Sequence, residues 1–184
     1  METAQNQIGK FLDPDAIIAQ LDVKRGDIAA DFGCGPGYFS LPFAKLIGIE
    51  GKLYSLDVLT NALETVASKA KNLGIINIVT KHVNLERENG SKLATEMLDW
   101  VILKDVLFQN QKKDVIIAEA ARVLKSGGRV IVVEWKQGDF TIGPDEELKI
   151  SPEKMQQLFV DNDFAIEKKI EAGDFHYAFV AVKK

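Results

Sequence analysis

The chain carries a single cysteine, Cys34, in 184 residues. No internal disulfide can form, and the expected compartment is a reducing cytoplasm. Only two histidines accompany that cysteine. All three lie far apart, so no metal site is predicted. Long apolar runs are missing too: the longest fall far short of a membrane span. Residues 1–10 have no hydrophobic stretch of the secretory type, which predicts no signal peptide. Basic charge is not concentrated either. The formal net charge is −4, and lysines are scattered apart from pairs such as Lys112-Lys113 and Lys168-Lys169. That argues against a phosphate-neutralising face for nucleic acid. Repeats, low-complexity tracts and linkers are absent. The length predicts one domain over 1–184, with residues 1–22 as an N-terminal helical cap and 23–184 as the core.

What is present is alternation. Apolar runs and helical stripes succeed one another, the pattern of βαβ units around a mostly parallel sheet. Strands are predicted at Ile28 to Phe32, Lys52 to Leu56, Ile78 to Val83, Trp100 to Leu103 and Arg129 to Trp135. Helices are predicted from Tyr38 to Ile47, along the stripe Leu59, Leu63, Val66, Ala70 and Leu73 up to Gly74, and from Val115 to Leu124. Asp13-Pro14 and Ser151-Pro152 each read as an N-cap followed by proline at the first helical position; the helices they open run to about Leu21 and Val160. Ser126-Gly127-Gly128 reads as a tight turn. Two last runs, Phe164 to Ile170 and Phe175 to Val182, are joined by only Glu171-Ala172-Gly173-Asp174. So short a link allows a hairpin and no crossover. The expected fold is α/β: a Rossmann-like doubly wound sheet of seven strands, mostly parallel, with an antiparallel C-terminal hairpin strand.

The most specific signal is Asp31-Phe32-Gly33-Cys34-Gly35-Pro36-Gly37, a glycine-rich turn between a strand and a helix. Glycines bring backbone close to a ligand, and the following helix points free N–H groups at it. The spacing is G-x-G-x-G, not the G-x-G-x-x-G of dinucleotide sites. A second acid, Asp57, follows at the tip of the next strand, where a ribose-binding carboxylate belongs.

Four segments in order carry a family resemblance: the Asp31–Gly37 turn, Leu56-Asp57-Val58, Asp99-Trp100-Val101-Ile102-Leu103-Lys104, and Ala121-Arg122-Val123-Leu124-Lys125-Ser126-Gly127-Gly128-Arg129-Val130. They resemble the class I S-adenosylmethionine-dependent methyltransferases, in particular the small stand-alone type 11 branch related to the ubiquinone/menaquinone-biosynthesis enzymes. The resemblance implies S-adenosylmethionine as cofactor, S-adenosylhomocysteine as product and a small-molecule methyl acceptor as partner. It implies a soluble monomer or homodimer that transfers the methyl group by in-line displacement, driven by proximity and orientation. It further implies that Gly33, Cys34, Gly35 and Gly37 face the methionine part of the cofactor. Asp31 would orient the amino group, directly or through water. Asp57 would accept from both ribose hydroxyls and Val58 would pack on adenine. Asn84 and Leu85, with Glu86 as the alternative, would meet the adenine edge, and the backbone of Lys104 and Asp105 would line the methyl-transfer region.

Two rival readings stand beside this one: a nicotinamide-dependent oxidoreductase, and a non-catalytic methyltransferase-like binding subunit. The glycine spacing and the hairpin count against the first. The cofactor residues count against the second. No catalytic residue is fixed by a motif. Asp105 and His176 are the candidates for a base, while Phe11, Phe108 and Trp135 are candidates to wall the substrate pocket; each also has an ordinary reading as packing or surface. His82 reads as a structural histidine. The acidic run Asp145-Glu146-Glu147 reads as solvated surface.

Overall fold

The computed structural model describes residues 10–184, so residues 1–9 of the expected N-terminal cap lie outside the described residues. Helix α1 spans Pro14–Ile18 and is capped as its sequence demands: the Asp13 carboxylate accepts from the Asp15 and Ala16 N–H groups. It stops short of Leu21. The N–H groups of Gln20 and Leu21 bond three residues back, to Ile17 and Ile18, and tighten the chain into turns. Strand β1 (Ile28–Phe32), helix α2 (Ser40–Ile47), strand β2 (Lys52–Asp57), helix α3 (Thr60–Asn72) and strand β3 (Ile78–His82) follow. α2 starts two residues after Tyr38 because Gly37 N–H still closes a turn onto the Cys34 carbonyl at 3.0 Å.

Strand β4 (Leu98–Lys104), helix α4 (Lys113–Val123) and strand β5 (Leu124–Trp135) continue the winding. The turn expected at 126–128 lies inside β5 as a bulge. Leu98 faces Leu124 while Trp100 faces Arg129, so residues 125–128 stand against Asp99 alone, and Lys125 Nζ holds that carboxylate at 2.7 Å. Helix α5 (Pro152–Asp161) precedes the hairpin of β6 (Phe164–Ile170) and β7 (His176–Lys183).

The strand order is β3-β2-β1-β4-β5-β7-β6. Pairs among β1 to β5 are parallel, whereas β7 is antiparallel to both β5 and β6. The last strand in sequence is therefore inserted between β5 and β6, and β6 runs with the parallel set. Central strands β1 and β4 are mostly apolar, with Asp31, Asp99 and Lys104 as the exceptions, because both faces are covered. On one face α1 and α2 pack Ile17, Phe43 and Ile47 against Leu53, Ile102, Ile131 and Val180. On the other, α4 and α5 pack Ile116, Ile117, Met155 and Phe159 against Phe32, Leu103 and Phe179. Two consequences position the site. The sheet reverses its winding between β1 and β4, the crevice where such sheets bind ligands. And because β7 runs backwards, its first residue, His176, arrives at the same edge as the last residues of β4 and β5; its register partner is Trp135.

Candidate functional site

A cleft of about 400 Å³ opens at the switch point, within the range of small-molecule sites. Gly33, Gly35, Asp57, Val58, Asn84 and Leu85 come together around it. Gly33 adopts φ +72°, and a Cβ there would lie 2.7 Å from the Val106 side chain, so this turn tolerates no side chain. Gly35 adopts φ +49°, and a Cβ on it would meet nothing within 4 Å: the cradle is open on the ligand side. Asp57 is 8% exposed and fixed from two directions. Its Oδ2 accepts from Gly35 N–H and its Oδ1 from Leu59 N–H, both at 2.9 Å. Each carboxylate oxygen keeps a further lone pair. Val58 presents an exposed side chain to the cleft, and its carbonyl is held 2.9 Å from His82 Nε2, which gives His82 its structural place. The Asn84 side-chain oxygen accepts from Glu86 N–H at 2.9 Å, and Glu86 stands on the same rim.

Asp31, Cys34, Gly37, Lys104 and Asp105 lie outside this lining. Asp31 is buried behind the turn, where Ser40 Oγ donates to its Oδ2 at 2.6 Å and Ser55 Oγ donates to Ser40 at 2.9 Å. Desolvation, only partly offset by the Ser40 bond, pushes its carboxyl up to about 6. Burial also drives the Cys34 thiol upward, so the cysteine is an inert packing group against Leu63 and Val66. Several lining residues carry no sequence signal. Gln109 and Asn110 donate to the carbonyls of Asp105 and Val106 and so shape the turn after β4, and Ile116 reaches the cleft from α4. Their role depends on a crossover that linear spacing does not reveal.

A second cluster occupies the same edge at β4, β5 and β7. Asp105 adopts φ +55°, rare for a residue with a side chain. Its carboxylate contacts Lys104 Nζ and lies 3.4 Å from His176 Nε2. His176 is buried beneath the Trp135 ring, with centroids 4.1 Å apart. Glu134 accepts from Leu107 N–H at 2.7 Å, and burial pushes it up to about 8. Of the pocket-wall candidates, Trp135 covers this cluster. Phe108 is half-buried in the turn after β4. Phe11 is 60% exposed and packs on Phe175, 5.3 Å between centroids, beside Phe140. In the acidic run, Asp145 and Glu147 are exposed, while Glu146 pairs with the buried Lys149 at 2.9 Å. Among the described residues no group of His, Cys, Asp or Glu is arranged to hold a metal, and no helix is long and apolar enough to cross a membrane.

The fold recurs in known proteins. The methyltransferase-domain family model matches residues 24–179. The ubiquinone/menaquinone biosynthesis C-methyltransferase of Haemophilus ducreyi is 30% identical over 120 residues, covering 64% of this chain and 45% of that protein. The chain therefore spans less than half the length of that relative. A SAM-dependent methyltransferase from Aquifex aeolicus has a TM-score of 0.86 at 20% identity, covering 95% of this chain and 91% of its own. Magnesium protoporphyrin IX methyltransferase from Synechocystis, solved with SAM bound, has a TM-score of 0.69 at 19% identity, covering 91% and 74%. At such identities the two structures share the fold. The family match places the chain: it belongs to the methyltransferase-domain family.

Proposed function

We propose that the protein transfers a methyl group from S-adenosylmethionine to a small-molecule acceptor. The observation that carries this is Asp57, a carboxylate pinned by Gly35 and Leu59 N–H groups beside a glycine cradle. The residues fit the donor. Asp57 directs spare lone pairs at two neighbouring hydroxyls, as a ribose presents them. Val58 and Leu85 offer apolar surface to adenine. Asn84 already spends an oxygen lone pair on Glu86 N–H, which favours Glu86 as the acceptor for an adenine amino group. Asp31, set back from the cleft, acts on the positive amino group through water or through its field. When bound, the donor supplies a methyl carbon on a positively charged sulfur, already a good leaving group. The chain's task is alignment, and well-oriented reactions gain about 7–11 kcal/mol in the best cases. A small acceptor is favoured because loop 136–150 packs against the ends of β5 and β7, leaving little room beyond the core fold.

Calorimetry with S-adenosylmethionine, S-adenosylhomocysteine and NAD side by side tests the reading. Micromolar binding of the first two is expected. Binding of NAD alone would overturn it.

A further inference from the structure

The edge of β4, β5 and β7 carries buried polar atoms without partners: Asp105 Oδ1, Glu134 Oε2, and both ring nitrogens of His176. Buried polar groups are ordinarily paired, and a group of orphans in one place calls for a ligand or a reaction. They sit beside the donor cleft, joined to it by the turn after β4, whose Val106 lines that cleft. His176 is held from one side only. Its Nε2 faces Asp105 Oδ1 at 3.4 Å, close enough for ionic attraction and still loose for a hydrogen bond. Its Nδ1 is buried and has no hydrogen-bond partner. A carboxylate on one ring nitrogen and a free second nitrogen is the layout of a histidine set to take a proton.

Resting on the methyl-transfer reading, we propose that this edge is the acceptor site, that the acceptor is a hydroxyl compound such as a phenol, and that His176 is its general base, positioned by Asp105. The acceptor class follows from what each nucleophile needs. A thiol ionises readily near neutrality, and a neutral amine attacks first and loses its proton afterwards. A hydroxyl must give up its proton during attack, so among these nucleophiles a base within reach serves it most. In the step, His176 Nδ1 takes the hydroxyl proton, the oxygen lone pair forms the bond to the methyl carbon, and the carbon–sulfur bond breaks. Its electron pair returns to sulfur, leaving a neutral thioether and a histidinium beside Asp105.

The charged and titratable groups around His176 are Asp105 and Lys104 at the end of β4, Tyr38 beneath Lys104, Glu134 on β5, and Tyr177 on the opposite face of β7. Glu134, pushed up to about 8, holds its proton at neutral pH, so Asp105 is the carboxylate that steadies the histidinium. Trp135 covers the ring, and Gly143 of loop 136–150 lies on Trp135 so closely that a Cβ would come to 2.7 Å. Acceptor entry therefore lifts this loop.

The test uses the full chain, labelled S-adenosylmethionine, and four acceptors: a phenol, a catechol, a primary amine and a thiol, with donor affinity measured in every variant. Transfer to a hydroxyl acceptor is expected. His176→Asn should lower kcat about 100-fold at neutral pH with unchanged donor affinity, and the loss should shrink as pH approaches the acceptor's own pKa. Asp105→Asn, a positioning change, should lower kcat about 10-fold and move the acidic limb of the pH profile to lower pH. Unchanged kcat in His176→Asn overturns the proposal. So does transfer confined to the amine or thiol, or donor binding without transfer to any hydroxyl. If His176→Asn does not fold, the pH limb of Asp105→Asn decides alone. Failure of the wild-type chain to bind donor overturns the earlier reading instead.

Discussion

The two halves of the ligand edge are built to opposite rules. On the β1–β2 side the polar groups are paired: Asp31 with Ser40, Ser40 with Ser55, Asp57 with two backbone N–H groups. On the β4–β5–β7 side Asp105, Glu134 and His176 keep buried atoms unpaired. The first half is finished before any ligand arrives, as preorganised binding requires. The second carries a standing cost, the usual signature of a surface shaped for chemistry over stability. Removing a partner from the first half should therefore destabilise, whereas neutralising an orphan in the second should stabilise.

The strongest break is Gly33→Ala. It forces a side chain into a left-handed backbone and onto Val106, costing about 2–3 kcal/mol. The melting temperature should fall by roughly 5–10 °C. Next, Asp57→Ala should weaken donor binding by about 1–3 kcal/mol through lost charge-assisted bonds; an unchanged affinity in calorimetry would mean the ribose lies elsewhere. Glu134→Gln tests the other half. The carboxyl is raised from 4.5 to about 8. Between these values the folded chain keeps a proton that the unfolded chain has released, so stability falls as pH rises through that window and is flat above it. Glutamine still accepts from Leu107 N–H and removes this slope, so melts at pH 9 should show a gain of about 1–3 kcal/mol, against almost none at pH 4. The smallest effect is Ser55→Ala, which deletes one buried hydroxyl bond and should cost about 0.5–1.5 kcal/mol in urea unfolding. A stabilising Ser55→Ala or a destabilising Glu134→Gln at pH 9 would dissolve the contrast.

The β1–β2 side of the cleft was legible in the sequence because its signals are local. A strand, three glycines and an acid within seven residues specify the turn, and one βα unit later Asp57 stands at a strand tip. The hairpin was legible from the short link at 171–174, yet its placement was not: nothing local says that β7 enters between β5 and β6. The β4–β5–β7 side was least legible. Asp105 and His176 were each candidates for a base in the sequence, but only the antiparallel register brings them within reach of each other. Ser40 and Ser55 read as helix and strand fillers until the fold stacks them on Asp31. Lys149, in a stretch that reads as a polar loop, is buried because Glu146 and the Gly138 carbonyl receive it.

The inserted strand also has a consequence for how the molecule is made. β5 and β6 are never neighbours; each waits for β7, which leaves the ribosome after both. Until then β5, a long and mostly buried strand, presents an open edge with no legitimate partner, the situation in which chains pair with one another. Closure then depends on contacts between distant segments, the slow kind. Concentration during refolding, more than final stability, should decide how much of this protein reaches its native state.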